Sequence, residues 1–371
     1  MKNIVCESKL CTGCNACVNK CPKNAISIED DGFVLNARID ENKCVECGLC
    51  LKICPNLNDA QFNSPINILQ GWSNSKVIRE SSSSGGFAST AILKCLEMDV
   101  AVFTCCFKDS ELIYDKVQRY EDLSRFVGSK YLKSNTKKIF KSIEDELKKG
   151  NKVLFIGLPC HVAGLYSSLN SEHKDNLLTI DLICHGSPSQ KLFKKMINEN
   201  NLVQNDFSDF SFRKHADFST TFDKRQGFFY WTIPFLKGQT YTENCYSCKY
   251  ARFERVADIT IGDAWGSNLG QTELMKGLSL ILVNTKKGEA FLNLLDFHYE
   301  AMDKNVAIAS NGQLDHPSKK PSNRDAFIAL FKTKQNYFYS IKKTNKKIIF
   351  IARIKNSLFW KIGRRIIRGH W

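Results

Sequence analysis

Twelve of the sixteen cysteines stand at positions that could hold iron–sulfur clusters. The run C-x2-C-x2-C-x3-C-P occurs twice, as Cys11, Cys14, Cys17, Cys21 and as Cys44, Cys47, Cys50, Cys54, offset by 33 residues. In the bacterial ferredoxin arrangement three close thiolates wrap one cube and the fourth cysteine reaches the other. The expected ligand sets are therefore Cys11, Cys14, Cys17, Cys54 and Cys44, Cys47, Cys50, Cys21. Structural zinc is the competing assignment, but zinc usually takes two close pairs of ligands, not four cysteines within one short run. Two cubes in one small module move single electrons over a distance, so this module reads as a wire.

Four further cysteines have local logic. Cys160 follows Pro159 at a strand-to-helix junction, where free N–H groups and the helix dipole favour a thiolate. Cys184 ends the apolar run LLTIDLI, at the equivalent point of the next βα unit, and ligands gather at such carboxyl ends. Cys245 and Cys248 form a C-x2-C in ENCYSCKY. Together they make a ligand set for a third [4Fe-4S] cluster. The alternatives are buried core thiols, or a nucleophilic thiol beside His161 or His185. Cys6, Cys95, Cys105 and Cys106 lack ligand spacing and are expected to be structural.

The elements that must position these residues follow from patterning. AISIEDDGFVLNARI (25–39) reads as two strands around the turn formers Asp30, Asp31 and Gly32. Residues 59–66 read as a linker. Beyond it strand and helix signals alternate, as in an α/β domain. Helices are expected at 84–98, 136–150, 159–169, from a Ser187–Pro188 cap through Asn198, and at 288–302; strands are expected at 100–107, 152–157, 177–183, 257–262 and 278–283. The loop SSSSGGFAS (81–89) opens into a helix, and its exposed N–H groups could hold a pyrophosphate or a flavin. GSKY (128–131) adds a cation and an aromatic ring. Neither a Rossmann fingerprint nor a P-loop is present.

Composition bounds the rest. The chain has 371 residues, 43% hydrophobic and 25% charged, ordinary values that exclude a largely disordered or fibrous protein. No run approaches the ~18 apolar residues of a membrane-spanning helix, and MKNIVCESKLCTGC lacks the apolar stretch of a signal peptide. A cytoplasmic protein is expected, where thiols stay reduced and many cysteines imply metal rather than disulfides. The net charge is +15, yet 12 Lys and Arg and no acidic residue lie between Ala326 and Trp371, which leaves the remainder at only +3. Nucleic-acid binding is therefore not expected. In the tail, Ile351, Ile354, Leu358, Ile362 and Ile366 recur at helical spacing among cations, the pattern of a basic amphipathic helix on the inner face of a membrane. Packing of that stripe on the protein's own core or on a partner is the alternative.

SSSSGGFAS, GSKYLKSN, VLFIGLPCHVAGL, DLICHGSPS, CYSCKY and ADITIGDAWG, in that order, resemble the beta-subunit family of coenzyme F420-reducing hydrogenases and dehydrogenases. The resemblance implies an FAD-binding α/β domain with its own 4Fe–4S cluster, fused to an N-terminal two-cluster ferredoxin. It assigns Cys160, Cys184, Cys245 and Cys248 to the cluster, and Ser84, Gly85, Gly86, Ser129, Lys130 and Tyr131 to flavin-side loops. His161 stands where the family pattern often has Gln, and Leu158 where it has Thr or Ser.

The expected fold is thus an α+β two-cluster ferredoxin-like domain (1–60), a larger α/β flavin-binding domain (67–330) and a basic, helical tail (331–371). The expected function is an iron–sulfur flavoprotein oxidoreductase. It would pass electrons between the ferredoxin pair, a third cluster and FAD to a deazaflavin or another organic acceptor, with His161, His185 or Lys130 as proton donor. The alternatives are a non-catalytic electron-transfer subunit serving a redox partner protein, and a cluster-containing sensor or scaffold of a cell-surface biosynthetic system.

Overall fold

The two cysteine runs fold alike. The computed structural model describes residues 3–199, 212–213 and 226–347. Gly13 (φ 65°) and Asn15 (φ 60°) in the first run, and Glu46 (φ 55°) and Gly48 (φ 70°) in the second, turn left-handed at matching positions. Gly and Asn adopt this conformation at little cost, whereas Glu46 does so only under local constraint. Each run closes in a short helix, α1 (Ala16–Lys20) and α2 (Leu49–Lys52). Between them β1 (Ile26–Asp30) and β2 (Leu35–Ile39) pair antiparallel. Their turn forms as expected, because the Asp30 and Asp31 carboxylates accept the Gly32, Phe33 and Val34 N–H groups.

The larger domain is a mixed α/β sheet of eight strands. In chain order they are β3 (Asn67–Ser73), β4 (Ala101–Lys108), β5 (Glu111–Val117), β6 (Val153–Gly157), β7 (Leu177–Leu182), β8 (Ile259–Asp263), β9 (Ser279–Val283) and β10 (Phe297–Ala301). Their order across the sheet is β10-β3-β9-β8-β7-β6-β4-β5. The central strands β4, β6, β7 and β8 run parallel. β6 and β9 are buried along their whole length, which is why they read as continuous apolar runs. The helices that follow α2 are α3 (Lys76–Ser81), α4 (Phe87–Glu97), α5 (Leu123–Phe126), α6 (Ile139–Lys148), α7 (Pro159–Ser168), α8 (Gln190–Glu199) and α9 (Gln226–Leu236). Then come α10 (Gly270–Met275), α11 (Lys286–Leu292), α12 (Lys304–Ser310), α13 (Arg324–Lys334) and α14 (Tyr337–Thr344). Among the described residues, no helix is long and apolar enough to cross a membrane.

The ferredoxin-like domain is built into the larger one. Asn15 Nδ2 donates to Thr136 Oγ1 at 2.7 Å, Asn19 Nδ2 donates to the Lys137 carbonyl at 2.8 Å, and Lys20 pairs with Glu144 of α6 at 2.7 Å. Phe33, at the β1–β2 turn, is buried edge-on between Phe327 and Phe331 of α13, at 5.7 and 5.5 Å. The expected linker is strapped down as well: Asn63 and Arg255 exchange both backbone hydrogen bonds.

Three expectations need correction. The helix expected over 288–302 stops at Leu292, and 297–301 is instead the edge strand β10, paired with β3. Tertiary pairing, together with burial of Phe297 against Phe87 at 5.3 Å, overrides the helical pattern. Helix α8 is capped by Ser189, whose Oγ accepts the Leu192 N–H, and not by Ser187. The tail does not begin at residue 331. Phe331, Tyr337 and Ile341 belong to the same buried core as Phe193 and Trp231, so α13 and α14 are part of the domain. The apolar stripe from Ile351 to Ile366 lies outside the described residues.

Candidate metal centres

Three cavities are lined by the three expected thiol sets. Cys11, Cys14, Cys17 and Cys54 line one. Cys21, Cys44, Cys47 and Cys50 line the second, and Cys160, Cys184, Cys245 and Cys248 the third. Among the described residues, no three His, Cys, Asp or Glu groups are placed to hold a single metal ion; the thiols of each set line a common cavity instead. Backbone N–H groups point at the sulfurs, most often from two residues further on: Gly13 at Cys11, Ala16 at Cys14, Asn56 at Cys54, Gly186 at Cys184 and Tyr250 at Cys248. Glu46 N–H reaches Cys44 Sγ at 3.4 Å. This donor pattern suits thiolates carrying an anionic cluster, so each set could hold a [4Fe-4S] cube.

The third set is assembled from three places. Pro159 opens α7 and puts Cys160 in its first turn, where backbone donors are free. Cys184 follows β7 at the carboxyl edge of the sheet. The 243–248 segment brings Cys245 and Cys248, and Arg255 ties the turn that follows it to β7. Its Nη1 donates to the Tyr250 and Arg252 carbonyls. Its Nη2 donates to Asp181 Oδ2 at 3.3 Å and to the Leu182 carbonyl at 3.1 Å, and its Nε to Thr260 Oγ1. All five guanidinium N–H groups are thereby used.

A buried cation stands beside this set. Lys133 is 4% exposed, and its Nζ lies 3.7 Å from Cys160 Sγ. Burial works against its charge, but the thiol charges of Cys160, Cys245, Cys184 and Cys248 outweigh burial and raise its pKa. Burial, followed by the charges of the neighbouring thiols, disfavours the thiolates of Cys184 and Cys248 and pushes each up to about 12, so a metal or a further cation is needed to hold them as thiolates. Lys130, the lysine expected at the flavin side and as a proton donor, does not line this cavity. That ammonium is spent on the Phe126, Val127 and Gly128 carbonyls at the end of α5. The only signal for Lys133 was its place in GSKYLKSN.

Cys6 is a second residue that sequence reading passed over. It lines the first cavity with Cys11, Cys14, Cys17 and Cys54. Its thiol donates to Cys11 and Cys54, which lowers those two to about 7 and about 6 and raises its own pKa. Cys95 and Cys106 are buried core residues, as expected.

The two inner sets stand back to back. A Cβ on Gly164 of α7 would lie only 2.9 Å from Cys14 Sγ, and Gly164 is one helical turn beyond Cys160. The set of Cys21, Cys44, Cys47 and Cys50 is the outermost, with Cys47 exposed and Val45 at 56% exposure.

The expected flavin-side loops meet, although several of their polar groups are already bonded within the protein. Ser129 N–H donates to Ser83 Oγ at 2.8 Å, and Ser84 Oγ donates to the Leu278 carbonyl at 2.9 Å. Gly85 is required because a Cβ there would lie 2.3 Å from the Gly71 carbonyl oxygen. Gly86 is required because it caps α4 at φ 91°. Both glycines are therefore explained by the fold, without a ligand. Tyr131 stacks on Phe235 at 4.3 Å. From Ser129 a polar chain continues: Arg213 Nε donates to its Oγ at 3.3 Å, and Arg213 pairs with both oxygens of Asp263 at 2.8 Å. His185 feels the charges of that pair and lines the third cavity.

His161 does not reach that cavity. It is fully buried, with Nδ1 2.9 Å from the Tyr114 hydroxyl, and burial, helped by Lys133, lowers its pKa well below the usual histidine value. Of the three expected proton donors, only His185 stands at a thiol-lined cavity.

Residues 150–302 match the C terminus of the coenzyme F420 hydrogenase/dehydrogenase beta subunit, and residues 10–57 match a 4Fe-4S dicluster domain. The coenzyme F420-dependent sulfite reductase of Methanocaldococcus jannaschii is 24% identical over 79% of this chain, which spans 47% of that reductase. An uncharacterized protein of the same organism is 25% identical over 88% of this chain and 98% of its own length. A chain of the F420-reducing [NiFe] hydrogenase complex from Methanosarcina barkeri aligns over 70% of this chain and 97% of its own, with 14% identity and a TM-score of 0.43.

Proposed function

Because this chain joins a 4Fe–4S dicluster domain to the C-terminal domain of the coenzyme F420 hydrogenase/dehydrogenase beta-subunit family, we propose that it is an iron–sulfur flavoprotein oxidoreductase. Electrons would pass along its three thiol sets to a deazaflavin or another organic acceptor. The observation that carries the reading is the serial arrangement of the sets, with Cys14 packed on Gly164 one turn from Cys160. Electron tunnelling needs short, fixed gaps. The buried Phe33 anchor and the Lys20–Glu144 pair supply that rigidity.

In this reading the outer set, Cys21, Cys44, Cys47 and Cys50, exchanges electrons with a redox partner protein. Cys11, Cys14, Cys17 and Cys54 hold the middle cluster. Cys160, Cys184, Cys245 and Cys248 hold the inner one, and Lys133 offsets its negative charge. FAD, when bound, supplies the conversion between one-electron and two-electron chemistry. Support for its site is the meeting of the Ser83–Gly86 and Ser129–Tyr131 loops, joined to the inner set through Arg213, Asp263 and His185. His185 is the residue we assign to proton transfer.

A second reading, an electron-transfer subunit without flavin, is favoured by the internal satisfaction of Ser84 and Lys130. The absorption spectrum of anaerobically purified protein separates the two. Resolved flavin bands above broad cluster absorbance are expected; cluster absorbance alone would leave the carrier reading.

Peripheral membrane contact belongs to the same proposal and is supported by six Lys and Arg with no acidic residue after Lys347. A truncation at Lys334 would remove α14 from the core, so the cut belongs after Lys347. Full-length protein is expected to sediment with anionic vesicles at low salt and the truncated protein to stay in solution. Equal sedimentation would remove the membrane from the proposal.

A further inference from the structure

Tyr250 is packed with residues of both inner thiol sets. It lines the cavity of Cys160, Cys184, Cys245 and Cys248, and it shares one packed core with Cys14 of the neighbouring set. The thiols whose charges reach its hydroxyl come from both sides: Cys14 and Cys54 from one, Cys160 and Cys248 from the other. Its position is held firmly, since its carbonyl accepts from Arg255 at 2.9 Å and its backbone N–H points at Cys248.

The hydroxyl has nothing to bond to among the described residues. Tyr250 is 3% exposed, and among the described residues its Oη has no hydrogen-bond partner. A buried tyrosine hydroxyl normally finds one, because an unmade hydrogen bond away from water costs free energy. It shares its cavity with thiols whose spacing and backbone donors suit a cluster, and a cluster sulfur accepts hydrogen bonds. An O–H donor stabilises the reduced, more negative cluster more than the oxidised one, and so raises its potential.

We propose that the Tyr250 hydroxyl donates a hydrogen bond to a sulfur of one of the two clusters flanking it and raises that cluster's reduction potential. The inference rests on the reading of Cys160, Cys184, Cys245 and Cys248 as a third cluster site. Tyr250 is a tuning residue, and electrons pass it without its own oxidation. Its place at the junction makes it the group that sets how readily an electron crosses between the two sets.

The test is an anaerobic redox titration of the full chain followed by electron paramagnetic resonance, with iron analysis, for Tyr250→Phe and Tyr250→Leu. The Phe variant is expected to keep about 12 iron atoms per chain. One inner cluster should shift tenfold toward the oxidised form at fixed potential, or about 59 mV for one electron. The outer cluster should not move, and the Leu variant should shift the same cluster no further. Unchanged potentials in the Phe variant, a shift seen only with Leu, a common shift of all clusters, or loss of iron with Phe would each overturn the proposal. Unsubstituted protein with only about eight iron atoms would instead refute the third cluster. In that case the Cys11 cluster alone decides the tyrosine's role: a shift in the Phe variant supports it, and no shift overturns it.

Discussion

Replacing Cys245 and Cys248 together by serine is expected to lower the iron content from about 12 to about 8 atoms per chain, one cube's worth, and to leave the dicluster domain intact. The two residues supply half the thiols around the third cavity, and a serine hydroxyl stays protonated where a thiol would ionise onto iron. The remaining pair, Cys160 and Cys184, comes from two separate βα junctions and cannot close a cube. The eight N-terminal cysteines line their own cavities and lose no ligand. In the proposed path this interrupts the relay at its inner end. The dicluster domain should still be reduced by a chemical reductant, while transfer onward falls to background. Iron analysis with paramagnetic resonance of the reduced protein checks both parts. Unchanged iron in the double variant would return Cys160 and Cys184 to the status of core thiols.

Arg255→Met is expected to destabilise the larger domain by about 3–5 kcal/mol, the usual cost of removing one partner from a buried ion pair. Arg255 and Asp181 are 2% and 0% exposed in their side chains, and the substitution strands the Asp181 carboxylate as well as four other acceptors. Burial already pushes the Asp181 carboxyl up, with Arg255 pulling the other way; without the guanidinium it rises further. A carboxyl whose pKa is higher folded than unfolded binds its proton more tightly in the folded state, so stability falls as pH rises between the two values. The variant should therefore lose more stability at neutral than at mildly acidic pH. Iron of the third site should go first, because the Tyr250 and Arg252 carbonyls lose their tie to Leu182. Arg255→Lys should recover only part, since one ammonium cannot serve five acceptors. Denaturant unfolding at two pH values, alongside iron analysis, measures these effects. Equal stability of Met variant and parent would show that Arg255 does not hold the loop.

Local chemistry was readable without any fold. A cube needs several thiols from one short segment, so the C-x2-C-x2-C-x3-C runs announced the dicluster domain. The fully buried strands β6 and β9 announced themselves as apolar runs, and Pro159–Cys160 as a helix start. What depends on distant partners was not readable in this way. Lys133 and Lys130 are alike in sequence, and only the α5 carbonyls that occupy one of them leave the other to face Cys160. His161 has the residue type of a proton donor, but Tyr114, 47 residues away, holds it in the core. Cys6 had no ligand spacing because it comes to Cys54 through the paired strands and not through its neighbours in the chain. Residues 297–301 carried a helical pattern, but the open edge of β3 offered backbone hydrogen bonds that a helix there could not use. Spacing along the chain encodes which atoms can bind a cluster, whereas burial and pairing across the sheet decide which cation, which hydroxyl and which histidine stand beside it.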